Sequence, residues 1–560
     1  MNPVRILDAH GRELPPSMRR TVSSRPRAYG PPAGGSGFGG GLAPFEAADV
    51  YGDHMAAWRP YLWSPDAELN LYRDRIVARV RDLVRNDGWA SGAVTRILDN
   101  AVGGSFRPKS KPDYRALQAY TGNKAFDAVW AHEYSRALEA AFRIWAEDPG
   151  RWCDAARTML FRQLMYVGFR HNLVDGDALA VMQWLPERVG PGRAHYATAV
   201  QLVDPDRLSN PQLVFDQQWM RGGVEIDDLG AATGYWIREA HQGDWFNVAK
   251  SLKWDKVPRE TAWGRPVVVH HFDHHRAGQH RGGAGVLTPV MARLKMLAKY
   301  DAVELDAAIV NSIFGAYIES PFDHEILQDA LGQSAHVNQY QDERAAYHGG
   351  KRTMLSGVAM PMLFPGEKIG TVAAARPTSN FPEFEKRVLA NAASALGLSA
   401  QQVSQDWSDV NYSSARAALL EAWKTMRRRR DDFAAGFGQP IWTAFVEEAF
   451  DGDDIRAVLP AGAPDFIECR HAYARARWLG PGRGWIDPVA EKEGAILGLA
   501  AGLSTLEDEV AENEGRDWEE ILDQQARERE AFAERGMPVP DYGAIKPSVK
   551  QAPDTQGATE

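Results

Sequence analysis

Cysteine is almost missing: the 560 residues hold only Cys153 and Cys469, far apart and outside any CxxC spacing. That excludes a disulfide framework or a thiolate zinc site as an organising device, and a reducing cytosol is the expected setting. Long apolar runs are missing too. The longest patch, Gly494 to Leu503, falls well short of the ~20 residues of a membrane span and carries several glycines. Residues Met1 to Arg20 lack an apolar run with a small-residue cleavage site, so no secretory leader is expected. Basic charge is not in excess. The net charge of -10 gives no broad field for gripping phosphate, which argues against a repressor or polymerase and is compatible with DNA as a passing ligand. The G-x-x-x-x-G-K-[ST] loop occurs nowhere, so an ATP-driven motor is disfavoured. No Ser/His/Asp or Cys/His constellation stands out. The expectation is therefore no enzyme, no cofactor, no resident metal and no membrane partner.

What is present is material for a large core. Hydrophobic residues make up 44% and charged residues 25%, the balance of a soluble globular chain. Its length calls for two or more packed regions. Residues 1 to about 50 contain Arg-Pro, Pro-Pro and the glycine run Gly34 to Gly41, and 537 to 560 is polar and aperiodic. Both read as loose tails.

Between the tails the periodicity changes along the chain. Asn70 to Asn100, Phe126 to Ala146 and Trp152 to Tyr166 carry helical spacing. Short runs rich in branched and aromatic residues follow at Ala178–Leu185, Ala197–Val203, Val224–Ile226, Gly234–Arg238 and Val267–His271. Turn residues such as Asp204-Pro205 and Asp227-Asp228-Leu229-Gly230 bound them, predicting hairpins. A long helix is predicted from Thr288, as cap, through Pro289 towards Ile318. Strands follow at Val358–Phe364 and Thr371–Ala375, then helices at Phe381–Leu396 and Ser413–Arg430. The last third reads as helical. Asp487-Pro488 opens one helix, Ser504 with Glu507 makes a capping box, and Asp517 with Glu520 starts another helix.

The most chemical-looking stretch is His270-His271-Phe272-Asp273-His274-His275, with His280 beyond. Imidazole and carboxylate suit zinc or manganese, and Asp-His-His resembles the signature of the phosphoesterases named for it. A metal-dependent phosphoesterase or nuclease is thus one alternative. It needs further aspartates in separate motifs, which are not found upstream. Neighbouring strand residues also point to opposite faces and cannot converge on one ion. A polar strand end and turn is the preferred reading. The glycines 278, 282, 283 and 285 are read as a flexible turn into the long helix. The four arginines Arg427–Arg430 are read as a solvated helix C-terminus neutralised by Asp431 and Asp432, with an intersubunit or DNA contact equally open.

Three blocks together carry a resemblance. They are Arg276-Ala277-Gly278-Gln279-His280-Arg281-Gly282 with Gly285-Val286-Leu287-Thr288-Pro289-Val290; Asp406-Trp407-Ser408-Asp409-Val410-Asn411-Tyr412-Ser413-Ser414-Ala415-Arg416; and Trp478-Leu479-Gly480-Pro481-Gly482-Arg483-Gly484-Trp485-Ile486-Asp487-Pro488. Weaker segments, Leu83 to Ala90, Asp204 to Leu208 and Gly223 to Asp227, agree in order. The chain from about 50 to 535 thereby resembles the lambda-type bacteriophage portal proteins, departing in both tails and in the extra Asp273-His274-His275.

The resemblance implies an α+β, mainly helical portal fold with wing, stem, clip and crown regions, assembling as a homo-oligomeric ring, usually of twelve subunits. Carried onto this chain it implies a tail at 1–50, wing at 51–200, clip at 201–285, stem helix at 286–320, inner wing at 321–440, crown at 441–535 and a tail at 536–560. Such rings occupy one capsid vertex of the virion after assembly in the host cytoplasm. They pass double-stranded DNA, and dock the terminase large subunit, head-completion (connector) proteins, and the major capsid protein and scaffold. A non-ring structural adaptor is the other alternative. By the same resemblance, the segment Ser399 to Ser408 and its continuation would project into the channel, with Gln405, Asp406, Trp407, Ser408, Asp409 and Asn411 as DNA-tunnel candidates. Amides and hydroxyls exchange hydrogen bonds with phosphate, and the two aspartates repel it. A solvated interhelical turn with Trp407 packed beneath is the alternative reading of that segment.

Overall fold

The run 70–100 expected as one helix is two, because Asp87 adopts an extended backbone and caps the second, accepting a hydrogen bond from Ala90 N. The computed structural model describes residues 57–58, 60–313, 317–319, 339, 342–347, 352–355, 358–361, 368–370, 381–408, 412–485 and 487–539. The tails expected at 1–50 and beyond Val539, the strand expected at 371–375, and Asp409 and Asn411 lie outside them. The chain divides into two compact units, Met1–Trp63 and Ser64–Glu560. In the first, Tyr61 and Trp63 stack with ring centroids 5.9 Å apart.

The second unit begins with helices α1 (Pro65–Leu69), α2 (Arg73–Asn86) and α3 (Gly88–Ala101), then strand β1 (Arg107–Ser110) and helices α4 (Tyr114–Thr121), α5 (Ala128–Ala146) and α6 (Phe161–Asp175). α3 buries Ala90, Ala93, Val94, Ile97, Leu98 and Ala101, one helical stripe. α5 buries Trp130, Tyr134, Leu138, Phe142 and Trp145. The third expected helix starts at Phe161 and not at Trp152. In between, Asp154 gathers hydrogen bonds from Ala156 N, Thr158 N and Met159 N, which holds the backbone in a turn.

Strands β2 (Asp177–Trp184), β3 (Thr198–Val203), β4 (Met220–Arg221), β5 (Val224–Ile226), β6 (Ala232–Arg238), β7 (Trp254–Pro258) and β8 (Val268–Phe272), with the short helix α7 (Val248–Ser251), form two antiparallel sheets ordered β3-β2-β8 and β4-β5-β6-β7. β2 is shared by two cores through its alternation. Ala178, Ala180 and Met182 face the main core with Val200 and Val269. Leu179 and Val181 face a second core built with Val203, Leu208, Val224, Tyr235, Ile237 and Val268.

Helix α8 runs Met291–Ile313, not from Thr288 to Ile318. Residues 286–290 form turns, the Thr288 hydroxyl caps nothing, and the chain is already a strand at Tyr317–Glu319. The expected strand at 358 covers Val358–Pro361, paired with Arg352–Leu355. Phe381–Leu396 is helical as expected, and the next long helix spans Tyr412–Phe433. It does not end after the arginines. It passes through a π-turn, Ala434–Gly438, directly into the helix Gln439–Ala449. The strand Ala476–Leu479 pairs with β1. Three helices close the described chain: Pro488–Ala500, Leu506–Asn513 and Trp518–Glu534. The second is capped by Thr505, not by Ser504. Asp517 caps the third, but Glu520 turns away to pair with Arg107 instead of completing a box. The architecture is thus mixed α+β with helices dominant, as expected. No described helix is long and apolar enough to cross a membrane.

The main core is aromatic at its centre. Phe142 meets Trp442 at 5.1 Å, Trp145 stacks on Phe445 at 4.9 Å, and Phe433 stacks on Phe437 at 5.0 Å. Trp442 is fully buried and donates Nε1–H to the Ala474 carbonyl at 2.9 Å. Replacing Trp442 by Ala is expected to remove about 3–5 kcal/mol of subunit stability, read from the shift of the urea midpoint.

Candidate functional site

The glycine-rich block after the histidines is tied down by buried hydrogen bonds and is not a flexible turn. Arg281 is 2% exposed and Asp177, at the start of β2, is 0% exposed. Asp177 Oδ2 accepts from Arg73 Nη2 at 3.2 Å and Arg281 Nε at 3.0 Å, while Oδ1 accepts from Gly282 N at 2.6 Å. His270 Nε2 lies 3.1 Å from the same Oδ1. With a carboxylate as acceptor, the neutral ring carries its proton on Nε2 and donates it. Arg281 spends its remaining donors on the carbonyls of Leu208, Gly222 and Pro205 at 2.6, 2.5 and 3.1 Å. Burial by itself would raise the Asp177 pKa. The charge of Arg281, the hydrogen bond from His270 and the charge of Arg73 outweigh it and hold the carboxyl well below the usual range.

A third arginine extends the network. Arg81 binds Asp175 at 2.7 Å, Asp206 at 2.7 Å and Asp204 at 3.0 Å, and Arg73 reaches Asp206 at 3.3 Å. Three arginines and four aspartates therefore join α2, the α6–β2 corner, the turn at 204–208 and the loop 276–285. The corner is tight. A Cβ on Gly282 would stand 2.0 Å from the Gly176 carbonyl oxygen, and one on Gly285 2.3 Å from that of Val174. Only glycine lets the two backbones approach so closely.

The histidines separate. His270 faces the second core, edge-on to Tyr235 at 5.5 Å. His271 faces the main core beside Phe433, and Gly436 of the π-turn makes room for its ring. Burial pushes His271 down to about 4, so it sits neutral in the fold. His274 is exposed and packs on Phe272 at 4.3 Å, and the His275 N–H donates to Gln279. His280 answers Asp66 through Nδ1 at 2.7 Å and the Gly230 carbonyl through Nε2 at 3.1 Å. A cleft of about 760 Å³ opens here, lined by His271, Asp273, His274, Arg428, Arg429 and Asp432 among others. It gathers no three metal-ligating groups. Among the described residues, that spacing occurs only at Asp204, Asp206 and His241, where Arg81 already bridges both carboxylates.

The four arginines lie inside a continuous helix and point four ways. Arg427 pairs with Glu512 and Arg428 with Asp432, Arg429 donates to the Leu396 carbonyl, and Arg430, 7% exposed, donates to that of Pro481. The solvated C-terminus expected there is replaced by a structural cross-link.

Four of the tunnel candidates, Gln405 to Ser408, follow directly on a short, well-capped helical turn. Ser399 caps the helical turn Ala400–Ser404 in a capping box with Gln402. Gln405 ends it with φ of 57°. Asp406 then accepts from Ser408 N at 3.1 Å and Ser408 Oγ at 2.6 Å, and these bonds hold its carboxyl below the usual range. Trp407 is 42% exposed, so it is not packed beneath the turn. Gln405, Asp406, Trp407 and Ser408 thus share one exposed tip.

The residues that the sequence left unmarked are Arg73, Arg81, Asp175 and Asp177. Their signal was faint: two of the five arginines of α2, and two aspartates at a helix–strand corner. Removing the acceptor that Arg73, Arg281 and His270 share strands buried cations. Asp177→Ala is expected to destabilise the subunit by about 3–5 kcal/mol, measured by urea titration.

Comparison with known proteins agrees with these blocks. The family described as "Phage portal protein, lambda family" matches residues 51–430. The portal protein of Escherichia phage N15 is 33% identical over 521 residues, covering 91% of this chain and 93% of that one. Portal protein B of Escherichia phage lambda is 33% identical over 520 residues, covering 91% of each. Among solved structures, a chain from the virion of a native gene transfer agent particle aligns with 75% of this chain and 97% of its own, at 14% identity and a TM-score of 0.36. That likeness is too distant to carry an argument.

Proposed function

The chain belongs to the lambda family of phage portal proteins, and from that premise we propose that its copies close into a ring, twelve being the usual number, around a DNA tunnel at one capsid vertex. Portal function is structural, and nothing in the site geometry favours the phosphoesterase alternative. The observation that carries the ring is α8. Its first turns bury Leu294 and Leu297 in the main core. From Ala298 to Asp306 no side chain is buried, although Val303 is 45% and Leu305 63% exposed. A helix of about 34 Å that leaves this much apolar surface in water gains little from its own subunit. Neighbouring copies of the same helix would cover it, and head-to-tail contacts close when the rotation divides a circle.

In this reading α8 is the stem. The second core supports a clip body at 201–285 with β2 as its root. The crown is best begun after Trp478, since Gln439–Ala449 packs in the main core. The ring would dock the terminase large subunit, head-completion proteins, and the capsid and scaffold proteins, in the host cytoplasm during assembly. Mass photometry should show closed rings for the native chain and monomers of unchanged helical content for the Val303→Asp, Leu305→Asp variant. Monomers alone from the native chain at every salt and concentration would overturn the ring.

The tip at Gln405, Asp406, Trp407 and Ser408, with Asp409 and Asn411 beyond it, is proposed to face the duplex. A carboxylate wall repels phosphate and lets it slide, whereas a cation on every subunit adds up around the ring. Asp406→Lys is expected to leave rings intact and reduce packaged DNA and phage yield. Full-length genomes at normal yield, with the variant ring confirmed in the virion, would show that this tip does not steer DNA.

A further inference from the structure

The helices Leu506–Asn513 and Trp518–Glu534 are attached to their subunit by charge and hardly at all by apolar packing. Among the described residues, no apolar side chain beyond Trp478 belongs to the main core or packs against it. Trp518–Glu534 buries none of its residues, and Leu506–Asn513 buries only Val510 and Asn513. Opposite them stands a ribbon of cations. Alternate strand residues share a face, which aligns Arg107 and Lys109 on β1 with Lys111 just beyond, and Arg477 is the cross-strand partner of Lys109. Each cation meets an acid from the two helices. Arg107 pairs with Glu520 at 2.9 Å, Lys109 with Asp517 at 2.5 Å and Glu519 at 3.5 Å, and Lys111 with Glu507 at 2.9 Å. Arg477 meets Glu507 at 3.3 Å and Asp508 at 2.9 Å. Lys109 and Asp517 are the buried pair of the set, with side chains 6% and 8% exposed.

Beneath that pair lies one more carboxyl. Glu139 of α5 accepts from Ser110 N at 3.0 Å and faces Lys109 from β1 and Asp517 and Glu519 from the helix end. Arg107, Arg136, Arg143, Glu520 and Asp523 line the same small cleft, and His132 stands 3.6 Å from Glu519.

We infer that the two C-terminal helices form an electrostatic clamp, which opens from the subunit when ionic strength rises and when Glu139 loses its proton. Salt weakens every exposed pair of the ribbon together. The proton acts through the buried end. Burial pushes Glu139 up to about 7, and Asp517 and Glu519 add to that against the charge of Lys109. An acid raised in the closed state holds a proton there that it releases once the helices leave and water enters. The closed state is therefore favoured at low pH, and that advantage is lost as pH rises through about 7. Backbone bonds from Arg483 and Gly484 to the carbonyls of Glu512 and Asn513 tie the end of Leu506–Asn513 to the loop before Pro488.

Hydrogen exchange on the full chain, in the assembly it forms, tests this on peptides from 506–534, with 128–146 as internal reference. Raising salt from about 0.05 to about 0.5 M should speed exchange in 506–534 by about tenfold or more and leave 128–146 unchanged. After correction for intrinsic rates, raising pH through neutrality should do the same, and Glu139→Gln should abolish that pH response. Arg107→Glu should loosen 506–534 at low salt, and adding Glu520→Arg should restore it. Protection of 506–534 that survives high salt, or that is lost only together with 128–146, would overturn the clamp. A Glu139→Gln variant with the native pH response would overturn the role given to the proton.

Discussion

Asp177 is the point on which the arrangement turns. It is fully buried and charged, and it receives four hydrogen bonds from three places: α2, β8, and two successive residues of the loop that leads to α8. A buried carboxylate tolerates this position only while its partners stay in register. Its partners are themselves fixed elsewhere, Arg281 by three carbonyls and Arg73 by Asp206. The direction in which α8 leaves the body follows from that loop, because Val286 N bonds the Leu173 carbonyl and Leu287 and Val290 are buried beside it. A polar knot thus aims the helix whose residues Ala298 to Asp306 its own subunit leaves unburied.

Two kinds of cohesion divide the molecule. From α2 to the strand Ala476–Leu479, apolar area dominates, with aromatic rings at the centre and one sheet feeding two cores. Beyond that strand the attachment becomes ionic. Apolar burial is insensitive to salt and pH over the ordinary range, whereas paired charges respond to both. The body and the C-terminal helices therefore answer different conditions, although they belong to one chain.

Much of this was legible in the sequence, and the reasons for the rest are physical. Strong periodicity placed α5, Phe381–Leu396 and the β2–β3 and β5–β6 hairpins nearly to the residue. Boundaries failed where a side chain competed with the backbone, as Asp87 does between α2 and α3 and Asp154 does before α6. The arginine run was misread because composition suggested a helix end, while the π-turn at Ala434–Gly438 carries the helix onward. The glycine block was recognised by resemblance, but its role was hidden. Arg281 and Asp177 are 104 residues apart, and no local pattern links a cation to a carboxylate at that range. Gln405, Asp406, Trp407 and Ser408 lie on an exposed tip, and the capping of the preceding turn Ala400–Ser404 by Ser399 and Gln402 is carried by local residue types alone.

The disposition of charge also bears on what a portal subunit has to do. A chain with 64 basic residues could present a strongly phosphate-binding surface, and each phosphate contact adds to the hold on DNA. Here many of the arginines are turned inward or cancelled. Arg73 and Arg281 are buried on Asp177, Arg81 spans three aspartates, Arg430 is buried on a carbonyl, and the β1 ribbon is covered by acids. The same ion pairs that hold the subunit together remove cations from its surface. Each such pair thus contributes to cohesion and leaves one cation fewer to meet a polyanion.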